Sequence, residues 1–173
     1  MSIGRSQFTG TSGQYYVSYG LAVREIHASL TIGNAPSVDI IVASGNGQKS
    51  LSIQVKTSRF AYRRCRYGNE GHEWDVGSSA INKCYENLWY AFVDLREKPN
   101  GCEWNPEVFF VPSFWVGSFV KENFSRKMYF LPTSADEISK EKWDFVQRYL
   151  NNDPEITAWA SSWDEKRLIR WGN

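Results

Sequence analysis

Residues 38–56, with the sequence VDIIVASGNGQKSLSIQVK, decide the fold of this chain. Residues 38–43 are rich in β-branched side chains, and residues 49–56 alternate apolar and polar side chains. Between them, Ser44-Gly45-Asn46-Gly47 is typical of a tight turn, because Gly and Asn tolerate the backbone angles that such turns require. The pattern therefore predicts a β-hairpin with one buried face and one solvent-facing face.

The register of this hairpin predicts which side chains meet. A turn centred near Asn46 pairs positions whose numbers sum to 92 or 93, so Asp39 lies opposite Ile53 or Gln54. Gln54 and Lys56 are two residues apart, and side chains two apart in a strand point to the same face of the sheet. We therefore expect Asp39, Gln54 and Lys56 to converge at one end of the hairpin.

A carboxylate, an amide oxygen and an ammonium group at one place indicate a specific chemistry. Asp39 offers the hard oxygen ligand that Mg²⁺ or Mn²⁺ prefers, and these ions commonly bind one or two carboxylates together with a substrate phosphate. Lys56 can position or activate a water molecule and offset charge in a phosphoryl transition state. The backbone carbonyl of Val55 lies on the same short segment and is a further candidate metal ligand.

The rest of the chain predicts an α/β protein with one domain over residues 1–173. Length and composition are ordinary for a single globular domain, with 173 residues and 42% hydrophobic side chains. The predicted elements are a flexible arm at 1–12, a helix at 12–25, a strand at 26–33, the hairpin, a long loop at 60–77, a helix at 78–87, strands at 88–95 and 107–111, a helix at 113–123, a strand at 127–131 and a helix at 139–151. This order favours a mixed central sheet flanked by helices.

Three segments together resemble the PD-(D/E)XK nuclease superfamily, and in particular its small bacterial restriction-endonuclease-like members. They are residues 13–17 (GQYYV), residues 33–39 (GNAPSVD) and residues 53–57 (IQVKT). The resemblance implies a restriction-endonuclease-like αβββαβ core and a Mg²⁺-dependent endonuclease that hydrolyses DNA. It also implies roles for three residues: Asp39 as the metal-binding carboxylate, Gln54 as the second ligand of the motif and Lys56 as the catalytic lysine.

Two positions depart from the pattern of that superfamily. Gln14 stands in the first helix where a Glu is usual, and Gln54 stands where an Asp or Glu usually precedes x-Lys. The resemblance makes Gln14 a fourth candidate catalytic residue, facing the other three from the first helix. An amide oxygen can contact a metal ion but lacks the charge that offsets the dehydration of Mg²⁺. Two interpretations therefore remain open, namely an active nuclease and a degenerate nuclease-fold protein that binds nucleic acid or another partner without catalysis.

The N-terminal part of the chain is basic although the whole is nearly neutral. Residues 1–69 carry eight Lys or Arg against two acidic residues, whereas the formal net charge of the chain is only +1. Four of these basic residues follow the predicted catalytic strand: Arg59, Arg63, Arg64 and Arg66. Arginines beside tyrosines suit phosphate contacts and base stacking, so we expect this segment to bind DNA.

Other features exclude or leave open further classes of protein. No apolar run is long enough to span a membrane, and three cysteines without metal-ligand spacing favour neither a disulfide framework nor a zinc site. A reducing cytoplasm is the expected location. Aromatic residues make up 16% of the chain, including eight Trp, and these either pack the core or stack on bases. The resemblance allows a homodimer, for which the sequence identifies no face.

Overall fold

The computed structural model describes residues 3–32, 37–64, 70–96, 104–123, 125–130 and 139–161. The helices in these ranges are α1 Ile3–Ala22, a short 3₁₀ helix Ser78–Asn82, α2 Ser113–Glu122, α3 Trp143–Leu150 and α4 Pro154–Ser161. The strands are β1 His27–Leu30, β2 Ile40–Ala43, β3 Ser50–Ser58, β4 Tyr62–Arg64, β5 Glu70–Asp75, β6 Leu88–Asp94, β7 Glu107–Pro112 and β8 Lys127–Phe130. The fold is α/β with a mixed central sheet, as the element order predicted.

Among the described residues, the central sheet has five strands in the order β1-β2-β3-β6-β7. Of these strands, β3 and β6 pair in parallel, and the other neighbours are antiparallel. In the predicted hairpin, Ile40 pairs with Ile53 and Ala43 pairs with Ser50, so paired numbers sum to 93. The predicted register is confirmed, and it places Asp39 next to Gln54 across the two strands.

One face of the central sheet packs against α1, α3 and α4. Val17 and Leu21 of α1 are fully buried there, together with the inward side chains of β2, β3 and β6. The helix approaches β3 closely because Gly13 has no side chain: a Cβ at this position would lie 2.9 Å from Cβ and Cγ2 of Thr57. Gly13 thus fixes the distance between α1 and the strand that carries Lys56.

The opposite face packs against a second, antiparallel sheet of three strands in the order β4-β5-β8, and against α2. The predicted long loop at 60–77 is therefore wrong, since this segment contains β4 and β5. Its buried positions include His72 and Glu73, which are only 6% and 7% exposed. Lys127 pairs with Glu73, and the Nε2 atom of His72 lies 3.7 Å from a carboxylate oxygen of Asp94. His72 and Glu73 look like loop residues in the sequence, because the partners that accompany them in the fold, Asp94 and Lys127, are distant along the chain. The sequence pattern therefore did not predict β5.

Two helix boundaries also differ from the prediction. Residues 3–12 belong to α1 and are not a flexible arm, and the hydroxyl of Ser12 donates to the Phe8 carbonyl within the helix. In the segment predicted as a helix at 78–87, the structure has only the 3₁₀ helix Ser78–Asn82, and Lys83 follows it.

Within the described ranges, many of the aromatic residues pack into the two cores, and others are exposed. Trp74, Trp89, Trp115 and Trp143 are buried, and Trp104 is 41% exposed. No helix in the described ranges is long and apolar enough to cross a lipid bilayer.

Candidate active site

Asp39 is fixed by backbone contacts on both sides. Its N–H donates to the Ile53 carbonyl at 2.9 Å, and its carbonyl accepts from the N–H of Thr31 at 2.9 Å. The Thr31 hydroxyl also donates to the Val38 carbonyl at 2.8 Å. Ser37 just before has a φ of 79°, a left-handed backbone angle that turns the chain sharply into this position. The direction of the Asp39 side chain is therefore set by the edge of β2 and not by a mobile loop.

The carboxylate of Asp39 bridges α1 and β3. One oxygen, Oδ1, accepts a hydrogen bond from the Nε2 atom of Gln14 at 2.8 Å, and the other, Oδ2, accepts from the N–H of Val55 at 2.7 Å. The second bond takes the place of a strand-to-strand backbone bond just before the start of β2. The structure thus brings together three of the predicted site residues, Gln14, Asp39 and Val55.

Gln14 is a hydrogen-bond donor in this arrangement. An ionised carboxylate only accepts hydrogen bonds, so the amide must present its NH₂ group to Asp39. Its oxygen then points away from the carboxylate and from any ion bound there. Gln14 therefore orients Asp39, a different function from the metal-binding Glu that the resemblance implies at this position.

Gln54 and Lys56 lie on the sheet face opposite the core that contains α1. Within β3, Ile53 is buried against α1, so its neighbours Gln54 and Lys56 point to the other side. The Oε1 atom of Gln54 is buried and has no hydrogen-bond partner among the described residues. The same is true of the hydroxyl of Tyr90, the residue paired with Gln54 on β6. Two buried polar atoms thus lie on adjacent strands beside Lys56.

The pKa of Lys56 is lowered from its ordinary value. Burial is the largest cause, because a desolvated ammonium is less stable, and the positive charge of Lys83 acts in the same direction. The negative charges of Asp39 and Asp75 act in the opposite direction. Lys56 is therefore poised to lose its proton more readily than a surface lysine, while remaining within electrostatic reach of Asp39.

Asp39 and Val55 carry oxygen atoms of the kind that a hard divalent cation binds, and Gln54 offers another from the face of β3 opposite α1. Each carboxylate oxygen keeps a lone pair beyond the one used by Gln14 or Val55, and the Gln54 amide oxygen lacks a partner. The Val55 carbonyl points to the same side of β3 as its N–H, toward Asp39, because both groups of a strand residue face the same neighbour. These three residues offer only oxygen ligands, as Mg²⁺ and Mn²⁺ require.

The negative charge that Asp39, Gln54 and Val55 offer to a cation is nevertheless small, because, of these three residues, Asp39 alone carries a carboxylate. No group of three or more His, Cys, Asp or Glu side chains that could hold a metal occurs in the described ranges. The three acidic residues of β5 do not replace the missing carboxylates, because each has another partner. Glu70 accepts from the Tyr62 hydroxyl, Glu73 pairs with Lys127, and Asp75 pairs with Arg126.

The predicted DNA-binding arginines have different surroundings. The Arg59 guanidinium lies over the Trp104 ring, 4.9 Å from its centroid. Arg63 is on β4 of the second sheet, exposed, and donates to the Phe60 carbonyl. The Arg64 side chain and the whole of Arg66 lie outside the described parts of the structure.

Lys83 is a functional candidate that the sequence prediction did not single out. It follows the 3₁₀ helix and is the largest charged influence on Lys56. The prediction of a regular helix over 78–87 concealed it, because such a helix would have placed Lys83 on an outer face.

No family model, curated protein or solved structure matches the chain.

Proposed function

We propose that the protein is a divalent-metal-dependent nuclease that hydrolyses DNA phosphodiester bonds on a restriction-endonuclease-like fold. One observation carries the proposal: the Asp39 carboxylate is held against β3 by the Val55 N–H, within electrostatic reach of a lysine whose pKa is lowered by burial. A fixed carboxylate within electrostatic reach of a partly desolvated lysine is a combination that would serve to hold a cation and to transfer a proton at one phosphate.

Asp39, the Gln54 amide oxygen and the Val55 carbonyl would hold Mg²⁺ or Mn²⁺. The ion would supply Lewis-acid polarisation of a phosphate oxygen and a bound water of lowered pKa. Gln14 keeps the Asp39 carboxylate in one orientation, which limits the reorganisation needed when charge develops.

Lys56 has two functions in this proposal. As an ammonium it donates to the non-bridging phosphate oxygens and offsets the negative charge that grows in the transition state. As an amine it accepts a proton from the attacking water, and the lowered pKa makes this form available closer to neutral pH. Both functions depend on its place on the same face of β3 as Gln54.

The basic N-terminal part of the chain supports a polyanionic substrate. Positive charge of this kind attracts nucleic acid by neutralising phosphates and releasing counterions. Arg63 adds positive charge at an exposed position of β4, where it also donates to the Phe60 carbonyl.

Nicking of supercoiled plasmid DNA in Mg²⁺ or Mn²⁺ tests the proposal. Wild-type protein should nick only when a divalent cation is present, and Lys56→Met should lose about 100-fold or more of the rate. Lys49→Met is the matched control, because Lys49 precedes β3 at the turn end of the hairpin, about 23 Å from Lys56 along the strand. Equal rates for Lys56→Met and Lys49→Met would refute the assignment.

A second candidate function is a non-catalytic nucleic-acid-binding protein with the same fold. The neutral Gln14 favours it, since this side chain uses its NH₂ group on Asp39 where the superfamily supplies a further metal-binding carboxylate. This interpretation predicts DNA binding without any metal-dependent nicking, and with affinity that is the same in Mn²⁺ and in EDTA.

A further inference from the structure

A pocket of about 410 Å³ lies beside the candidate active site. Its walls come from the turn that leads into Asp39, from the start of β3 and from the segment between the 3₁₀ helix and β6. The polar lining includes Ser37, Ser52, Ser79, Asn82, Lys83 and Asn87. Pockets of this size accommodate small-molecule groups such as a nucleotide.

The pocket and the candidate active site share a strand face and an electrostatic field. Ser52, Gln54 and Lys56 are spaced by two along β3, so a row of polar side chains leads from the pocket to the site. Lys83 lines the pocket and its charge lowers the pKa of Lys56. An anionic group bound near Lys83 would therefore change the electrostatic potential at Lys56.

The lining has the chemistry of nucleotide recognition. Lys83 supplies a positive charge for a phosphate, and the amides of Asn82 and Asn87 match the donor and acceptor pairs on base edges. Tyr85 also lines the pocket and is 58% exposed, so an aromatic side chain is accessible there to stack on a base. Among the described lining residues none is acidic, so nothing there repels a phosphate.

The wall that carries these groups is held in place by α2. The N–H of Tyr85 donates to the Ser113 hydroxyl at 2.9 Å, and that hydroxyl donates to the Tyr85 carbonyl at 2.8 Å. Ser113 is fully buried. On the sheet side, the N–H of Ser52 donates to the Asn87 carbonyl at 2.8 Å. The Tyr85 ring is thus an exposed side chain on a fixed backbone, which lowers the cost of ordering on binding.

We propose that this pocket binds an unpaired deoxynucleotide next to the cleaved phosphate, with the base stacked on Tyr85 and bonded to Asn82 or Asn87, and its phosphate near Lys83. This inference rests on the proposed nuclease function and narrows its substrate to DNA that is single-stranded or locally opened at the cut. A base within a duplex is paired and stacked and presents no free face to such a pocket.

Binding of DNA in metal-free buffer tests the inference separately from cleavage. A single-stranded oligodeoxynucleotide carrying 2-aminopurine is compared with the same strand in a duplex, in EDTA. Wild-type protein should bind the single strand more tightly, with a change in 2-aminopurine fluorescence on stacking. Tyr85→Ala should weaken this binding about tenfold and abolish the fluorescence change, because one stacked base is lost. Duplex affinity should change by less than about twofold.

Ile81→Ala is the matched control, since Ile81 is 44% exposed on the 3₁₀ helix and does not line the pocket. Absence of single-strand binding by the wild type, or equal affinities of Tyr85→Ala and Ile81→Ala for the single strand, would overturn the inference. Plasmid nicking that depends on Lys56 but not on Tyr85 would leave the nuclease proposal standing and reject the pocket. If Tyr85→Ala loses single-strand binding but the wild type does not nick DNA, the pocket proposal stands and the nuclease proposal is rejected.

Discussion

The Nε2 atom of Gln14 donates a hydrogen bond to Oδ1 of Asp39 at 2.8 Å, and this contact joins the first helix to the hairpin. A glutamate at position 14 would place a second carboxylate at the same distance from Asp39. Two carboxylates this close either share a proton or, when both are ionised, need a cation between them. The neutral amide of Gln14 therefore limits the negative charge of this contact to that of Asp39 in the metal-free protein.

Gln14→Glu should destabilise the metal-free protein by about 3 kcal/mol near neutral pH, because carboxylate repulsion replaces a hydrogen bond. Mn²⁺ should restore stability, since the ion neutralises both charges. A thermal-shift titration with Mn²⁺ checks this, with Gln7→Glu as the control on an exposed position of the same helix. Gln54→Glu should likewise gain metal-dependent stabilisation. If neither Gln14→Glu nor Gln54→Glu gains it, Asp39 is not part of a metal site.

Gly13→Ala should destabilise the protein by about 2 kcal/mol and loosen the contact between Gln14 and Asp39. The new methyl group would overlap the Thr57 side chain, so α1 must move away from β3. Gly10→Ala is the control, because a Cβ there meets no atom within 4 Å. The control should be stabilised by roughly 0.5–1 kcal/mol through lower backbone entropy in the unfolded chain. Urea denaturation of both variants measures the difference, and similar stabilities would contradict the close approach of the helix.

Tyr90→Phe should remove part of the loss of stability at alkaline pH. Burial raises the pKa of Tyr90 to about 12, above the ordinary value of 10.0. Between these two values the unfolded chain loses the phenolic proton while the folded chain keeps it, so the free energy of unfolding falls as pH rises. Below about pH 10 both states keep the proton, and this residue adds no pH dependence.

Urea midpoints of wild type, Tyr90→Phe and Tyr19→Phe across this pH range separate that contribution from those of other tyrosines. Tyr19 is 66% exposed and serves as the control. At neutral pH, Tyr90→Phe should be as stable as wild type or up to about 1 kcal/mol more stable, since its buried hydroxyl has no partner among the described residues. A large loss of stability at neutral pH would show that the hydroxyl has a partner.

The double variant Arg63→Ala/Arg64→Ala should bind DNA more weakly and with a smaller dependence on salt. Each lost phosphate contact lowers the slope of log affinity against log salt by about one unit. Fluorescence anisotropy of labelled DNA at several salt concentrations measures the slope. Arg148→Ala is the control for loss of charge, because Arg148 is paired with Asp153 and Glu155 away from the site. An unchanged slope for the double variant would remove β4 from the DNA-binding surface.

The hairpin and its register could be predicted from the sequence because local signals agree there. β-branched residues, strict alternation and a Gly-Asn-Gly turn all favour the same pairing, and this pairing alone places Asp39 opposite Gln54. The strands β6 and β7 were also predictable, as both are nearly continuous apolar runs. Close contact between Gln14 and Asp39 follows from the hairpin once α1 packs on β3.

The second sheet could not be predicted, since its strand signals come from distant partners. His72 and Glu73 are polar residues that become buried only when Asp94 and Lys127 approach them. Ile81 and Tyr85 are four residues apart, which favours a helix over 78–87, yet their exposed fractions are 44% and 58% and neither belongs to a core cluster. The spacing therefore does not reflect burial on a helix face, and the turn that forms instead brings Lys83 within electrostatic reach of Lys56.

The most direct test of the central claim is the Mn²⁺-dependent nicking rate of Asp39→Asn. Asparagine keeps an acceptor for the Val55 N–H but removes the charge that holds the cation, so the account predicts a loss of about 100-fold or more. Asp144→Asn, an exposed residue in the first turn of α3, should nick at the wild-type rate. Two results would contradict the proposal that the protein is a metal-dependent nuclease with its active site at Asp39. One is nicking by Asp39→Asn at the wild-type rate, and the other is the absence of metal-dependent nicking by wild type, Asp39→Asn and Asp144→Asn alike.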